Sequence, residues 1–339
     1  MSGAAQRNRC LALLALCLVG FNRLGHAIEY PLREDGGEVF GTVERIQTRY
    51  EDTLIEIARR YSLGYEELLR VNPGVDPWLP GEGTAVIIPG KRLLPPAERE
   101  GIVVNLPEHR MYFFPRAAKG DPAKVMTFPV SVGKMDWRTP LGVTKVVSKQ
   151  KDPPWYPPAS VRKEHEERGD PLPLMVGPGP DNPLGAHALR LNIPGGSYLI
   201  HGTNNPDAVG MAVTHGCLRM YPEDVAVLFD AVKVGTRVAL INEPVKITKS
   251  DGEVWLEVHP PIDSQGQSTA VPLEDFEKRL DALLGDTEVA INWDLAVQAL
   301  SEARGIPVMI GLELSVDPAD AVPPPPSAPE TSRQTSAMW

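Results

Sequence analysis

Between residues 101 and 241 the chain is cut into short runs rich in Val, Ile, Phe and Tyr, most of them followed by Gly, Pro or Asn. Runs at 101–106 and 110–114 flank Pro107-Glu108-His109, a hairpin pattern, and 125–132 and 142–147 read as a third and fourth strand about the turn at 133–140. Residues 197–200 and 236–241 add two more. Short strands with turn signals at this spacing point to an all-β sandwich or barrel. Between those last two strands one helix is expected from residue 222: Pro222 sits in its first turn with Glu223 and Asp224, where the dipole favours negative charge. Val225, Leu228, Phe229 and Val232 form its apolar stripe and Gly235 stops it.

Residues 151–192 interrupt the strand rhythm. They hold Pro153-Pro154-Trp155-Tyr156-Pro157-Pro158, a short charged helix at 161–168 and a run of Gly-Pro turns. A loop this long inside a compact domain is expected to be a lid or binding wall, with aromatics such as Trp155 either lining a groove or packing over an open sheet edge. This β-rich domain is bounded at 99–242 with the insertion inside it.

Ahead of it lies a smaller module, 41–90, reached by a spacer over 28–40. A strand at 42–46 precedes a helix capped by Asp52, with Leu54, Ile57, Ala58 and Tyr61 on one face. A second helix, 65–71, ends at Asn72-Pro73-Gly74, and 85–89 is a closing strand, giving strand, helix, helix, strand. A Pro-containing linker, 91–99, is expected to carry few contacts between the two units. Downstream, 243–315 reads as an α+β extension: a hairpin turning at Asp251-Gly252, then amphipathic helices at 273–284 and 294–303. Residues 316–339, rich in Pro and Ser, are expected to be disordered.

The N-terminus has the layout of an export signal. Arg7 and Arg9 precede an apolar run at 11–19, and Gly25-His26-Ala27 offers small residues for cleavage after position 27. The run is shorter than the about 20 apolar residues a spanning helix needs. Cleavage removes Cys10 and Cys17 and leaves Cys217 alone, so no internal disulfide is available. With a formal net charge of -10 in 339 residues, nucleic acid is excluded as the expected partner.

A lone thiol among histidines and glycines suggests an activated nucleophile. The stretch runs from His201-Gly202-Thr203-Asn204 to Thr214-His215-Gly216-Cys217-Leu218-Arg219. A free thiol titrates at about 8.5 and only the thiolate attacks well. A neutral histidine can take its proton, the following helix N-terminus favours negative charge, and Gly216 lets backbone N–H groups approach an oxyanion. Together these suit acyl transfer through a thioester. Both histidines are candidate bases: His215 shares a strand face with Cys217 if that segment is extended, and His201 ends a separate strand. Inert burial is the competing fate for Cys217, and a zinc site of His201, His215 and Cys217 lacks a fourth ligand. His109, His165, His187 and His259 carry no motif and are read as packing or surface residues. No cofactor and no metal is expected.

These residues resemble the signature of the YkuD-type L,D-transpeptidases, and the order of units resembles the ErfK-like branch. The module at 41–90 resembles LysM through Asp52-Thr53-Leu54, the Asn72-Pro73 turn and Val86-Ile87-Ile88-Pro89. The resemblance implies a mainly β sandwich catalytic domain beside a small α+β βααβ module, located in the periplasm. It implies that Cys217 attacks the diaminopimelate–D-alanine bond of a tetrapeptide stem and releases D-alanine. His201 would act as proton acceptor and donor, oriented by the carbonyl of Gly202, while His215 and Gly216 support the thiol and oxyanion. Arg219 would meet a substrate carboxylate; Thr214, Trp155 and Asn204 are further candidate substrate contacts, Asn204 being read first as part of a turn. The implied partners are peptidoglycan glycan and stem peptides, and an outer-membrane lipoprotein with a C-terminal lysine as acceptor. The alternatives are a hydrolase of the same class that releases that lipoprotein, and a non-catalytic wall-binding protein.

Overall fold

The structure, a computed structural model, describes residues 28–133, 139–194, 198–261 and 270–314. The expected signal peptide at 1–27 and tail at 316–339 lie outside the described residues.

The core of the catalytic unit is a run of nine hydrogen-bonded strands. In spatial order they are Ile28–Pro31, Lys124–Pro129, Arg110–Phe114, Gly101–Asn105, Arg237–Ile241, Gly142–Lys151, His187–Leu191, Leu199–His201 and Leu218–Arg219. The long strand Gly142–Lys151 belongs to both halves. Its first part pairs with Arg237–Ile241 and its second with His187–Leu191, with a register shift between Val146 and Ser148 where it changes partner. A bulge bends a strand and increases its twist, which lets the two halves close over one core. Ile102, Phe113, Phe128 and Val238 from one half meet Leu189, Leu191, Ile200 and Leu218 from the other. The helix Pro222–Ala231 adds Val225, Leu228 and Phe229. Burying each such side chain contributes roughly 1.5–3 kcal/mol before conformational entropy is charged.

Gly101–Asn105 is buried along its whole length because both faces are covered. Ile102 and Val104 enter the main core, while Val103 turns to a second cluster with Leu94, Tyr112, Phe114 and Ala239. This explains a central strand without polar alternation.

Several expectations change. The spacer at 28–40 is partly sheet, since Ile28–Pro31 forms the edge strand beside Lys124–Pro129. The insertion at 151–192 includes the strand His187–Leu191, an inner strand of the sheet, so the lid itself spans 152–186. Asp52 does not cap the first helix. Thr53 does, through a capping box with Glu56, and Asp52 instead accepts from Arg49 N and the Arg60 guanidinium.

The linker is the largest correction. Arg92–Leu93 pairs with Val39–Phe40, and the buried Arg92 meets Glu67 at 2.5 Å. Leu93 N donates to Glu257 Oε2 at 2.6 Å and its carbonyl accepts from Lys246 Nζ at 2.8 Å. Leu93 and Leu94 are apolar enough to be pulled inside, so the linker becomes a crossroads between all three units. The C-terminal unit is a four-stranded sheet, Val245–Ser250, Glu253–Val258, Val308–Glu313 and Val289–Ile291, packed on the helices Leu273–Leu284 and Trp293–Glu302.

Candidate active site

The site is built on a parallel strand pair. Leu199–His201 runs beside Leu218–Arg219, with Ile200 opposite Leu218 and His201 opposite Arg219. Cys217 immediately precedes this pairing. Cys217 and Arg219 lie near enough for their charges to interact. The Leu199 backbone supplies a hydrogen bond to the Cys217 thiol. Met220 N donates to the His201 carbonyl at 2.9 Å, which holds the two segments level.

His201 is buried, and its Nδ1–H donates to the Gly202 carbonyl at 2.6 Å. That bond fixes the tautomer and leaves Nε2 as the basic nitrogen. Burial first, then the Arg219 charge, pushes the imidazole down to about 4, against the opposing pull of the Gly202 carbonyl. Burial also pushes the Cys217 thiol up, and the Leu199 hydrogen bond and Arg219 offset this only in part. Both shifts favour a neutral thiol and a neutral imidazole at rest. The arrangement therefore suits general-base removal of the thiol proton during attack rather than a standing thiolate–imidazolium pair.

Gly202 N–H is taken by the His187 carbonyl at 3.1 Å, so Gly202 orients histidine and does not serve an oxyanion. Gly216 has φ +96°, a conformation that an L side chain adopts only under strain, and its carbonyl accepts from Thr139 Oγ1 at 3.0 Å. Thr214 departs from its expected role as a substrate contact. It is buried and its hydroxyl donates to the Cys217 carbonyl at 2.6 Å, closing the tight loop that carries the thiol.

The expected shared face of His215 and Cys217 does not form. The strand Ala212–Thr214 ends before His215, and the turn at Gly216 separates it from Leu218–Arg219. His215 Nε2 instead meets Glu164 Oε2 at 3.0 Å, on the lid helix Ala159–Glu167. Nothing in the local sequence around His215 points to that partner, which lies 51 residues upstream.

Arg219 is partly buried beside the thiol, and its Nε is buried without a hydrogen-bond partner among the described residues. Asn204 is exposed on the loop after His201. Trp155 is half-buried in the lid, where its backbone pairs with Val176. Thr214 and Arg219 are thus brought to the thiol, while Trp155 and Asn204 have no described bond to it.

Four histidines stand elsewhere. His109 is buried and bonds the Gly210 carbonyl at 2.9 Å, His165 pairs with Asp170, and His187 packs its ring on Phe229. His259 joins Glu108 and Glu257 in a buried cluster of ligand type. That cluster already encloses a cation, since Lys246 Nζ lies 3.0 Å from Glu108 and 2.6 Å from Glu257. It fastens the catalytic unit to the C-terminal sheet.

Residues 99–247 match the YkuD family, described as the L,D-transpeptidase catalytic domain. "Probable L,D-transpeptidase YbiS" of Escherichia coli (strain K12) is 37% identical over 311 residues, covering 89% of this chain and 98% of that protein. "Probable L,D-transpeptidase ErfK/SrfK" of the same organism is 37% identical over 306 residues, covering 88% and 96%. Among solved structures, the catalytic domain from E. faecium L,D-transpeptidase is 22% identical and covers 43% of this chain and 100% of that chain, with a TM-score of 0.31.

Proposed function

The chain belongs to the L,D-transpeptidase family, and from that premise we propose that Cys217 is its nucleophile and His201 its general base. It is an L,D-transpeptidase, a family that acts on peptidoglycan stem peptides. The observation that carries the residue assignment is the parallel pairing of Leu199–His201 with Leu218–Arg219, together with the His201 Nδ1–H bond to Gly202 O.

In the first half-reaction the Cys217 sulfur attacks the diaminopimelate carbonyl of a tetrapeptide stem while His201 Nε2 takes the thiol proton. The tetrahedral adduct collapses, the C–N bond breaks, and the imidazolium returns the proton to the departing D-alanine amine. A thioester remains. In the second half-reaction an amine attacks that thioester, His201 removes its proton, and the thiol is regenerated. Arg219, with its unpartnered buried Nε, suits a stem carboxylate. The acceptor is the C-terminal lysine of an outer-membrane lipoprotein or a second diaminopimelate. Water as acceptor would make the enzyme a hydrolase of the same linkage.

The unit at 41–90 is the glycan-binding, LysM-like part of an exported, periplasmic protein. What supports this is a cavity of about 210 Å³ lined by Ile55, Tyr65 and Trp78 of that unit and by Asn205, Asp207, Ala208 and Met211 of the loop after His201. Trp78 is 61% exposed there, an aromatic face available to a sugar ring.

The test is intact-protein mass spectrometry of the mature enzyme with a carbapenem, then with disaccharide-tetrapeptide with and without a lysine-ended peptide. A covalent adduct on Cys217 and release of D-alanine are expected. Unmodified protein in both arms would leave only wall binding.

A further inference from the structure

We propose that Glu164, on the lid helix Ala159–Glu167, is a positioning residue that acts on the nucleophile loop through His215, so that the lid forms part of the catalytic scaffold. The inference rests on the reading of Cys217 as nucleophile. Its starting point is the 3.0 Å contact between Glu164 Oε2 and His215 Nε2.

His215 sits on a segment with no regular ladder. The strand before it ends at Thr214, the next begins at Leu218, and Gly216 between them has φ +96°. The turn carrying the thiol lies between these two strands, and side chains help to hold it. Thr214 Oγ1 and Thr139 Oγ1 hold the Cys217 and Gly216 carbonyls. Glu164 holds the remaining residue of the turn, His215, from across the lid. A carboxylate accepting from Nε2–H requires a proton on Nε2. Ring plane and tautomer are then set by a residue outside the motif.

The lid is ordered enough to do this. At its base, Trp155 and Val176 exchange two backbone hydrogen bonds of 2.8 Å, and Asp152 N donates to the Ala186 carbonyl at 2.8 Å. Asn182 Nδ2 ties the two limbs together by donating to the Pro153 carbonyl at 2.7 Å. Val161 is buried under the helix, and the Arg168 guanidinium lies 3.7 Å from Glu164 Oε1, on the side away from His215 Nε2. Glu164 thus projects from a braced platform.

The experiment uses the full mature enzyme and reads the acylation rate of Cys217 by a carbapenem for wild type, Glu164→Ala, Glu164→Gln, His215→Ala and the Glu164→Ala/His215→Ala double variant. Glu164→Ala is expected to slow acylation roughly 10–100-fold, as a misplaced catalytic loop does. Glu164→Gln, whose amide oxygen still accepts from Nε2–H, is expected to recover most of that loss. In the His215→Ala background, Glu164→Ala is expected to add nothing, because the two act as one unit. Imidazole nitrogen NMR of His215 should show the Nε2–H tautomer in wild type and a mixture in Glu164→Ala. Unchanged acylation in Glu164→Ala, or a loss that adds in full to that of His215→Ala, would overturn the proposal. Wild-type acylation in the same assay separates that outcome from failure of the nucleophile assignment.

Discussion

Arg110, on an inner strand of the catalytic sheet, donates through Nη2 to Glu67 Oε2 at 2.6 Å, and Glu67 belongs to the second helix of the N-terminal unit. Both side chains are buried, and Arg92 of the segment between the units completes the triad. Burial alone would raise the Glu67 carboxyl, but Arg110 and Arg92 outweigh it and hold it at about 2. Tyr221, one residue before the helix Pro222–Ala231, donates its hydroxyl to the Leu63 carbonyl at 3.1 Å, and Tyr65 N donates to the Val209 carbonyl at 3.1 Å. The two units therefore share an interior.

A chain beginning at Arg99 is accordingly expected to fold poorly, since it removes the edge strand Ile28–Pro31 and uncovers the interior that Arg110 shares with the N-terminal unit. Removing one partner of a buried pair costs about 3–5 kcal/mol. Denaturant unfolding of Glu67→Gln should show a loss of that order. Because the Glu67 pKa is depressed when folded, this contribution is complete above about 4.5 and is lost as pH falls toward about 2. A truncated chain with an unchanged unfolding midpoint would count against a shared core.

Gly210→Ala tests the seam at backbone level. A Cβ at Gly210 would lie 2.2 Å from Gly64 Cα, and Gly210 has φ +87°. Neither main chain can yield cheaply, and strained φ values alone cost about 1–3 kcal/mol. A drop in melting temperature is expected, along with slower acylation, because Gly210 ends the loop that follows His201. Wild-type stability in this variant would refute the close approach.

The His201 imidazole is held down to about 4, first by burial and then by Arg219. The acylation rate should therefore rise with pH around about 4 and stay level through neutrality, where the base is already neutral. The depressed pKa also means that the unfolded chain binds the proton first. That stabilising contribution is complete above the ordinary histidine value of 6.5 and declines as pH falls toward about 4. His201→Ala should lose about 10²–10⁴-fold in rate. A rate profile with its ascending limb at 6.5 or above would show that His201 is not held neutral.

Thr214→Val keeps the shape of the side chain and deletes the hydroxyl that bonds the Cys217 carbonyl. Leaving that acceptor unpaired is expected to cost about 1–3 kcal/mol. The turnover number should fall while KM changes little, because the residue positions the thiol loop. A KM effect alone would return Thr214 to the role of substrate contact.

Trp78→Ala should raise KM for disaccharide-tetrapeptide and leave the free tetrapeptide unaffected, as loss of uniform binding at the seam cavity would. Equal kinetics on both donors with and without Trp78 would remove sugar binding from that cavity.

The chemistry was legible in the sequence because it is local. His201, Gly202, Cys217 and Arg219 announce a thiol site through residue type and spacing, and the strand that ends at His201 and the helix from Pro222 follow from period and turn residues. The bond from His201 to the carbonyl of the very next residue is local too. What the tertiary structure decided was every relation between distant segments. His215 left the thiol's strand because Gly216 adopts a positive φ, and it found Glu164 on a helix that the sequence marks only as charged. The segment at 91–99 reads as a linker because it has prolines and no long period, yet Leu93 and Leu94 are drawn inside and Arg92 finds Glu67. Strand His187–Leu191 was hidden in an insertion because its flanks are Gly and Pro, and only pairing with Gly142–Lys151 makes it part of the sheet. Propensity and motif act over a few residues. Burial and ion pairing act between segments that the chain brings together only when it folds, so they set which neighbours each side chain keeps.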